Sequence, residues 1–257
     1  MTAWRAFTGK EFLEAVRTGK LALLLLVFLM LGIMNPAVAK LTPWLIESMA
    51  ESMEETGLSV AATEVNAMSS WVQFYKNAPM ALIIFALMFG GILTGEYQRG
   101  TLINIVTKGL ARWKILAAKA LALLAFWTGG YWLMFGLTWG YTVYFWDSVG
   151  IFHPVFGAFC VYLLGIWLIS LLLLGSGIFR SGAAVLGMAG AGFVLSYLLG
   201  LIPAVRDFVP TRLLEASVLL TGAAAPEDFL FAAAAAGLLV IGNLLVAVVC
   251  FDQRPLS

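Results

Sequence analysis

Residues 21–39 read LALLLLVFLMLGIMNPAVA, an apolar run with Lys20 before it and Lys40 after it. A helix needs about 20 apolar residues to cross the ~30 Å hydrocarbon core of a bilayer, so this run fits a membrane-spanning helix. The whole chain agrees, because 62% of its 257 residues are hydrophobic and only 11% are charged. Soluble domains carry about 25% charged residues. The sequence therefore predicts an integral membrane protein.

Five further apolar runs follow the first along the chain. The fourth and fifth are separated only by Arg180-Ser181-Gly182, but Arg180 and two glycines favour two helices over one. The prediction is an all-α membrane protein with six transmembrane helices, in a single domain over residues 1–257. The predicted spans are about 21–39, 79–95, 115–145, 154–179, 183–202 and 229–251.

The distribution of lysine and arginine predicts the orientation of these spans. With the N-terminus inside, 11 of the 15 basic residues fall in cytoplasmic segments and 4 in outer ones. Cytoplasmic loops of membrane proteins are enriched in basic residues. Both termini are therefore expected on the cytoplasmic side.

The segment before the first span, residues 1–20, is predicted to be an interfacial helix. Trp4, Phe7, Phe12 and Val16 recur at a spacing that brings them towards one side of a helix, as in helices that lie on a membrane surface. The segment could also belong to a cleaved signal peptide. Its length and its acidic residues Glu11 and Glu14 argue against that alternative.

Two outer segments are long enough to have structure of their own. Residues 41–78 contain a helix-compatible stretch, Trp44–Glu55. Residues 203–228 contain three prolines around an apolar stretch, which fits a re-entrant helical piece before the sixth span. An ordinary surface loop with one amphipathic turn explains that second segment equally well.

Ionisable residues are absent from the centres of the predicted spans, and Lys119, Asp147 and Arg180 lie near ends from which side chains can reach water. The single histidine, His153, cannot form a zinc site alone, and no phosphate-binding loop or Gly-x-Ser-x-Gly motif occurs. The sequence predicts neither a catalytic site nor a metal site. Cys160 and Cys250 lie in apolar runs, and no dense basic cluster suggests nucleic acid.

The loop at residues 96–114 is the most specific part of the sequence. It reads EYQRGTLINIVTKGLARWK, and Leu102, Ile105 and Val106 repeat at helical spacing. This pattern predicts a short amphipathic helix on the cytoplasmic side. From the residues alone, the helix could rest on anionic lipid headgroups or dock a soluble partner.

The motif Glu96-x-x-x-Gly100-Thr101-Leu102, followed by Lys108, Arg112 and Lys119, resembles the permease subunits of type-2 ABC transporters. Lys10-Glu11-Phe12 before the first span and Phe251-Asp252-Gln253-Arg254 after the sixth are similar to the ends of that family. The resemblance covers essentially the whole chain. Many relatives have a Pro-x-x-Arg-like turn where this chain has Gly109-Leu110-Ala111-Arg112, and a glycine can also make that turn.

The resemblance implies the permease subunit of an ATP-binding cassette exporter in a cell membrane, of prokaryotic plasma-membrane type. It implies a cytosolic ABC ATPase subunit that binds ATP and Mg, and a second permease copy or sister permease in a 2+2 assembly embedded in membrane lipid. The chain itself would bind no cofactor and catalyse nothing. The implied ATPase-coupling residues are Glu96, Arg99, Gly100, Thr101, Leu102, Ile105, Val106, Lys108 and Arg112.

Glu96 and Arg112 would fix the coupling helix through charge-assisted hydrogen bonds, and closure of the ATPase pair would tilt the two permeases. A pathway without buried charge favours an amphiphilic, lipid-like, peptide or drug-like cargo, with no substrate-binding residue identified. The alternative function is a non-transporting membrane anchor or assembly protein that recruits a cytosolic complex through the same loop.

Overall fold

The computed structural model describes residues 3–54, 65–107, 109–147 and 150–254. These residues form helices and connecting turns, with no strand among them. The α-helices are α1 (Ala3–Arg17), α2 (Lys20–Glu54), α3 (Ala67–Phe89), α4 (Thr94–Gln98), α5 (Thr101–Thr107), α6 (Arg112–Phe145), α7 (Pro154–Ile178), α8 (Gly182–Gly200) and α9 (Leu230–Gln253).

The predicted number of spans is confirmed. Six stretches within the described ranges are long and apolar enough to cross a membrane: Lys20–Ser48, Ala67–Gln98, Arg112–Phe145, Pro154–Ile178, Gly182–Gly200 and Pro226–Gln253. α7 is at the centre of the bundle and packs most extensively against α9, while α2 packs against α6 and α3. The all-α fold class is therefore confirmed.

The second transmembrane helix begins well before the predicted start at Pro79. Asn66 caps α3, because its side chain accepts a hydrogen bond from the Ser69 backbone N–H at 3.3 Å. Polar residues early in this helix have partners inside the bundle: Ser70 bonds Thr142 at 2.7 Å, and Asn77 donates to Asn35 at 2.7 Å. A polar side chain can be buried when such a bond satisfies it.

The α2–α6 contact depends on a glycine and a proline one turn apart. Pro36 has no N–H, so the carbonyl of Gly32 loses its ordinary partner within the helix, and the Thr138 hydroxyl of α6 lies 3.1 Å from that oxygen. A Cβ on Gly32 would lie 2.9 Å from the Met134 carbonyl oxygen. The two backbones approach closely because the residue is glycine.

The segment before the sixth span is helical, as one of the two sequence interpretations expected. Its main element is a 3₁₀ helix, Pro210–Thr221, that packs against α7. Four apolar residues of this element are fully buried, Leu213, Ala216, Leu219 and Leu220, while Val218 is exposed. It is thus a part of the core rather than a loose surface loop, and the re-entrant interpretation stays a prediction.

Adding one methyl group at Gly165 is expected to destabilise the protein by about 1–3 kcal/mol, because overpacking a filled core has that cost. The new Cβ would lie 2.1 Å from the fully buried ring of Trp127, whose indole N–H is fixed by the Tyr162 carbonyl at 3.1 Å. The measurement is the thermal unfolding midpoint of Gly165→Ala in detergent. Gly140→Ala is the control, since nothing lies within 4 Å of its Cβ; equal midpoints for both variants would contradict the prediction.

Candidate functional site

Several chain segments converge at one end of the bundle, called here the α5 end because α5 (Thr101–Thr107) lies there. α1 packs against the first turns of α6, where the Trp4 indole N–H donates to the Lys114 carbonyl at 3.1 Å. The end of α9 reaches the same place, since Arg112 donates to the Phe251 carbonyl at 2.9 Å. The start of α6, directly after the α4–α5 segment, therefore contacts elements from both ends of the chain.

α1 turns an acidic residue, not only its aromatic ones, towards the bundle. Phe7 and Glu11 are buried, and the Phe12 ring meets that of Phe126 edge-on at 5.2 Å between centroids. Val16, predicted to share the apolar side, is 57% exposed. Val16 lies about 120° around the helix from Trp4 and does not join Phe7 in the contact with the bundle, and the interfacial position of residues 1–20 stays a prediction.

Glu11, Glu96 and Lys119 form a buried ion cluster between α1, α4 and α6. Glu96 is 2% exposed and Lys119 is 1% exposed. The Lys119 ammonium lies 2.9 Å from one Glu11 oxygen and 3.3 Å from a Glu96 oxygen. The expectation that Lys119 reaches water is wrong, because these two carboxylates supply its counter-charge inside the protein.

Lys10 extends this cluster to the surface. Its ammonium bonds the second Glu96 oxygen and lies 3.2 Å from Glu11 and 2.9 Å from Glu14. Arg99, on the neighbouring turn, lies 3.6 Å from Glu14. Three carboxylates thus face three cations, so the cluster is electrically balanced.

The three carboxylates bring ligand atoms within 4.8 Å of one another, a spacing that could hold a metal ion. Lys10 and Lys119 already place their ammonium groups against these oxygens. The protein's own cations therefore neutralise the site, and the geometry fits an ion-pair network better than a metal centre.

The network changes the pKa of its surface members. Burial alone lowers the pKa of Lys10, but hydrogen bonds to Glu96 and Glu14 and the charge of Glu11 together raise it above its ordinary value. The hydrogen bond from Lys10 lowers the pKa of Glu14 more than burial raises it. Each ion therefore favours the charged form of its partner.

Stability is expected to fall at both pH extremes. The contribution of Glu14 is complete above its unfolded pKa, near 4.5, and is lost as pH falls through its depressed folded pKa. The contribution of Lys10 is complete below its unfolded pKa, near 10.5, and is lost as pH rises through its raised folded pKa. The measurement is the thermal unfolding midpoint as a function of pH. As the pH falls below 4.5, the midpoint of Glu14→Gln should decrease less steeply than that of the parent. Equal decreases in the two proteins would contradict the prediction.

A second set of contacts ties α4 to the ends of α7 and α9. The Tyr97 ring lies under the Arg254 guanidinium at 4.3 Å and meets the Phe251 ring edge-on. Arg254 donates to carbonyls at the end of α7, including that of Phe179 at 3.0 Å. Arg112 donates to the carbonyls of Phe251, Asp252 and Arg254. Cations are favourable at helix C-termini, where carbonyls lack partners.

α5 is a short amphipathic helix, as predicted. Gly100 immediately precedes it with φ +66°, a conformation that most side chains disfavour. Leu102 is 1% exposed and Val106 packs against the core. Ile103 lies on the outer side and is 40% exposed. The helix is thus anchored by one face and presents the other.

The predicted coupling residues have different positions. Arg99, Gly100 and Thr101 are exposed around the start of α5. Glu96 and Arg112 have their partners within this chain. Ile105 is in α5 but its side chain is outside the described residues, as is the whole of Lys108.

The sequence analysis named Lys10, Glu11 and Lys119 in motifs that resemble the type-2 ABC permeases, but it did not predict that they meet in one site, and it did not select Ile103. Helical spacing offered a signal for Ile103, because Leu102 and Val106 on one face place it on the other. No local sequence pattern indicated that the members of the ion cluster meet, because they are far apart in sequence.

The comparisons agree with this architecture. A family model described as ABC-2 family transporter protein matches residues 5–220. A comparison with curated proteins found no match. The matched range includes α1, the α4–α5 segment and the transmembrane helices up to α8. The chain is a multi-pass membrane permease that belongs to the ABC-2 family of transporter proteins.

Proposed function

We propose that this chain is the permease subunit of an ATP-driven exporter and that α5 docks a separate ATP-hydrolysing subunit, which holds the ATP and Mg. Membership of the ABC-2 family implies association with an ABC ATPase in general. The observation that carries the proposal is the exposed outer face of α5 on a firmly anchored inner face.

Force on α5 would reach several transmembrane helices at once. Glu96 joins the segment to α1 and α6 through Lys10 and Lys119. Tyr97 joins it to the ends of α7 and α9 through Arg254. In this proposal Glu96 and Arg112 act as positioning residues inside the permease, while Arg99, Thr101 and Ile103 meet the ATPase.

The cargo and assembly are parts of the same proposal. An amphiphilic, lipid-like, peptide or drug-like substrate suits this bundle, because among the described residues the buried polar groups away from the α5 end are neutral, such as Asn35, Asn77 and Thr138. In an 18-residue apolar window of each of the α8 and α9 spans, only 17% of the residues are buried. A second permease, either a copy or a sister chain, would cover part of this surface in a 2+2 assembly.

Thiol labelling in intact cells tests the position of α5. In a Cys250→Ser background, Thr101→Cys should react with a membrane-impermeant maleimide only after permeabilisation. Thr221→Cys is the control, because this exposed residue lies at the opposite end of the bundle, and it should react in intact cells. Labelling of Thr101→Cys in intact cells would place α5 outside and overturn the proposal.

A further inference from the structure

An apolar groove of about 380 Å³ runs between α6, α7 and α9. Its lining includes Trp113, Leu121 and Leu124 of α6, Ile166 and Leu173 of α7, and Val248 of α9. Leu121 is exposed, so the groove opens sideways from the bundle. It lies outside the contacts assigned to the coupling segment.

The length of the groove matches one leaflet of a bilayer. From Trp113 to Leu124, α6 rises about 16 Å at 1.5 Å per residue, and half of a ~30 Å hydrocarbon core is about 15 Å. The groove begins at the α5 end, one residue after the start of α6 at Arg112. An acyl chain from the leaflet on that side would fill it lengthwise.

The mouth of the groove carries unpaired positive charge. Trp113 is 50% exposed, and the Lys114 ammonium lies 5.6 Å from its ring centroid. The Trp4 indole fixes the Lys114 backbone, and Arg5, next to Trp4, is exposed. Neither Lys114 nor Arg5 forms an ion pair within the described ranges. Trp and Lys residues at the end of a membrane-spanning helix commonly contact lipid headgroups.

We propose that this groove is a specific binding site for an anionic phospholipid, whose acyl chain lies between α6, α7 and α9 and whose phosphate meets Lys114. The charge at the mouth distinguishes this site from ordinary lipid contact, which is indifferent to the headgroup. A basic residue near a membrane surface favours an anionic lipid by an amount equivalent to about five-fold in affinity.

Native mass spectrometry of the full chain tests the headgroup. After delipidation, the chain is titrated with phosphatidylglycerol and phosphatidylcholine of identical acyl chains. Phosphatidylglycerol should be retained preferentially, and Lys114→Gln should weaken its retention about five-fold. Lys20→Gln is the control, because Lys20 is an exposed lysine at the same end. Equal retention of both lipids, or equal effects of both variants, would show that the groove binds lipid without headgroup specificity and would overturn the proposal.

A second variant tests the acyl chain. Ala120 lines the groove, so Ala120→Phe should fill it and abolish preferential retention of phosphatidylglycerol. Ala183→Phe on the exposed side of α8 should have no effect. Retention that survives Ala120→Phe, or displacement of the lipid by soluble glycerol phosphate, would refute an acyl-chain site. None of these results depends on the ATPase, so they leave the proposed function unaffected.

Discussion

Lys119→Met is expected to destabilise the protein by about 3–5 kcal/mol, the cost of removing one partner from a buried ion pair. Lys119 is the only fully buried cation of the cluster and lies 2.9 Å from Glu11 and 3.3 Å from Glu96. Without it, Glu11 keeps only Lys10 as a cationic neighbour, at 3.2 Å. The measurement is the thermal unfolding midpoint in detergent.

Two further variants make this prediction specific. Lys20→Met removes an exposed lysine from the same end and should change the midpoint little, because exposed charges contribute about 0–1 kcal/mol. Glu11→Met/Lys119→Met removes one charge of each sign and should recover most of the loss, since apolar replacement of a whole buried pair is often neutral. A double variant as unstable as Lys119→Met would show that the loss is not caused by an unpaired charge.

The membrane fold could be predicted from sequence because one physical rule dominates it. Every backbone polar group in lipid must be satisfied within the segment, so an apolar run of sufficient length becomes a helix. Helix ends depend on partners that hydropathy does not show. α3 reaches back to Ala67 because Ser70 and Asn77 find partners on Thr142 and Asn35, residues distant in sequence.

The ion cluster could not be predicted from the sequence for the same reason. Glu11, Glu96 and Lys119 are separated by tens of residues and meet only when α1 folds back onto α6. Read singly, each looks like a charge near a membrane surface that would face water. α5 itself was predictable, because its apolar spacing and the glycine before it are local signals.

Ile103→Glu is expected to weaken ATPase binding about 30-fold, the equivalent of losing one binding hot spot of about 2 kcal/mol. Among the α5 side chains that the structure describes, Ile103 is the exposed apolar one on the outer face. A carboxylate there would need desolvation on docking, while the buried Leu102 keeps the helix in place. Binding is measured with an ABC ATPase co-expressed with the chain, together with the hydrolysis rate of the complex.

Val16→Glu is the matched control, because Val16 is also an exposed branched aliphatic residue at the α5 end but lies on α1. It should leave binding within two-fold of the parent. Normal binding by a stable Ile103→Glu chain would rule out docking through the outer face of α5.

The hydrolysis rate separates the two proposed functions. A coupled permease changes the rate of ATP hydrolysis when it binds the ATPase, whereas a passive anchor binds the ATPase and leaves that rate unchanged. A parent complex that binds ATP with the affinity of the free ATPase would also favour the anchor, because coupling requires that the permease and ATP change each other's binding free energy reciprocally.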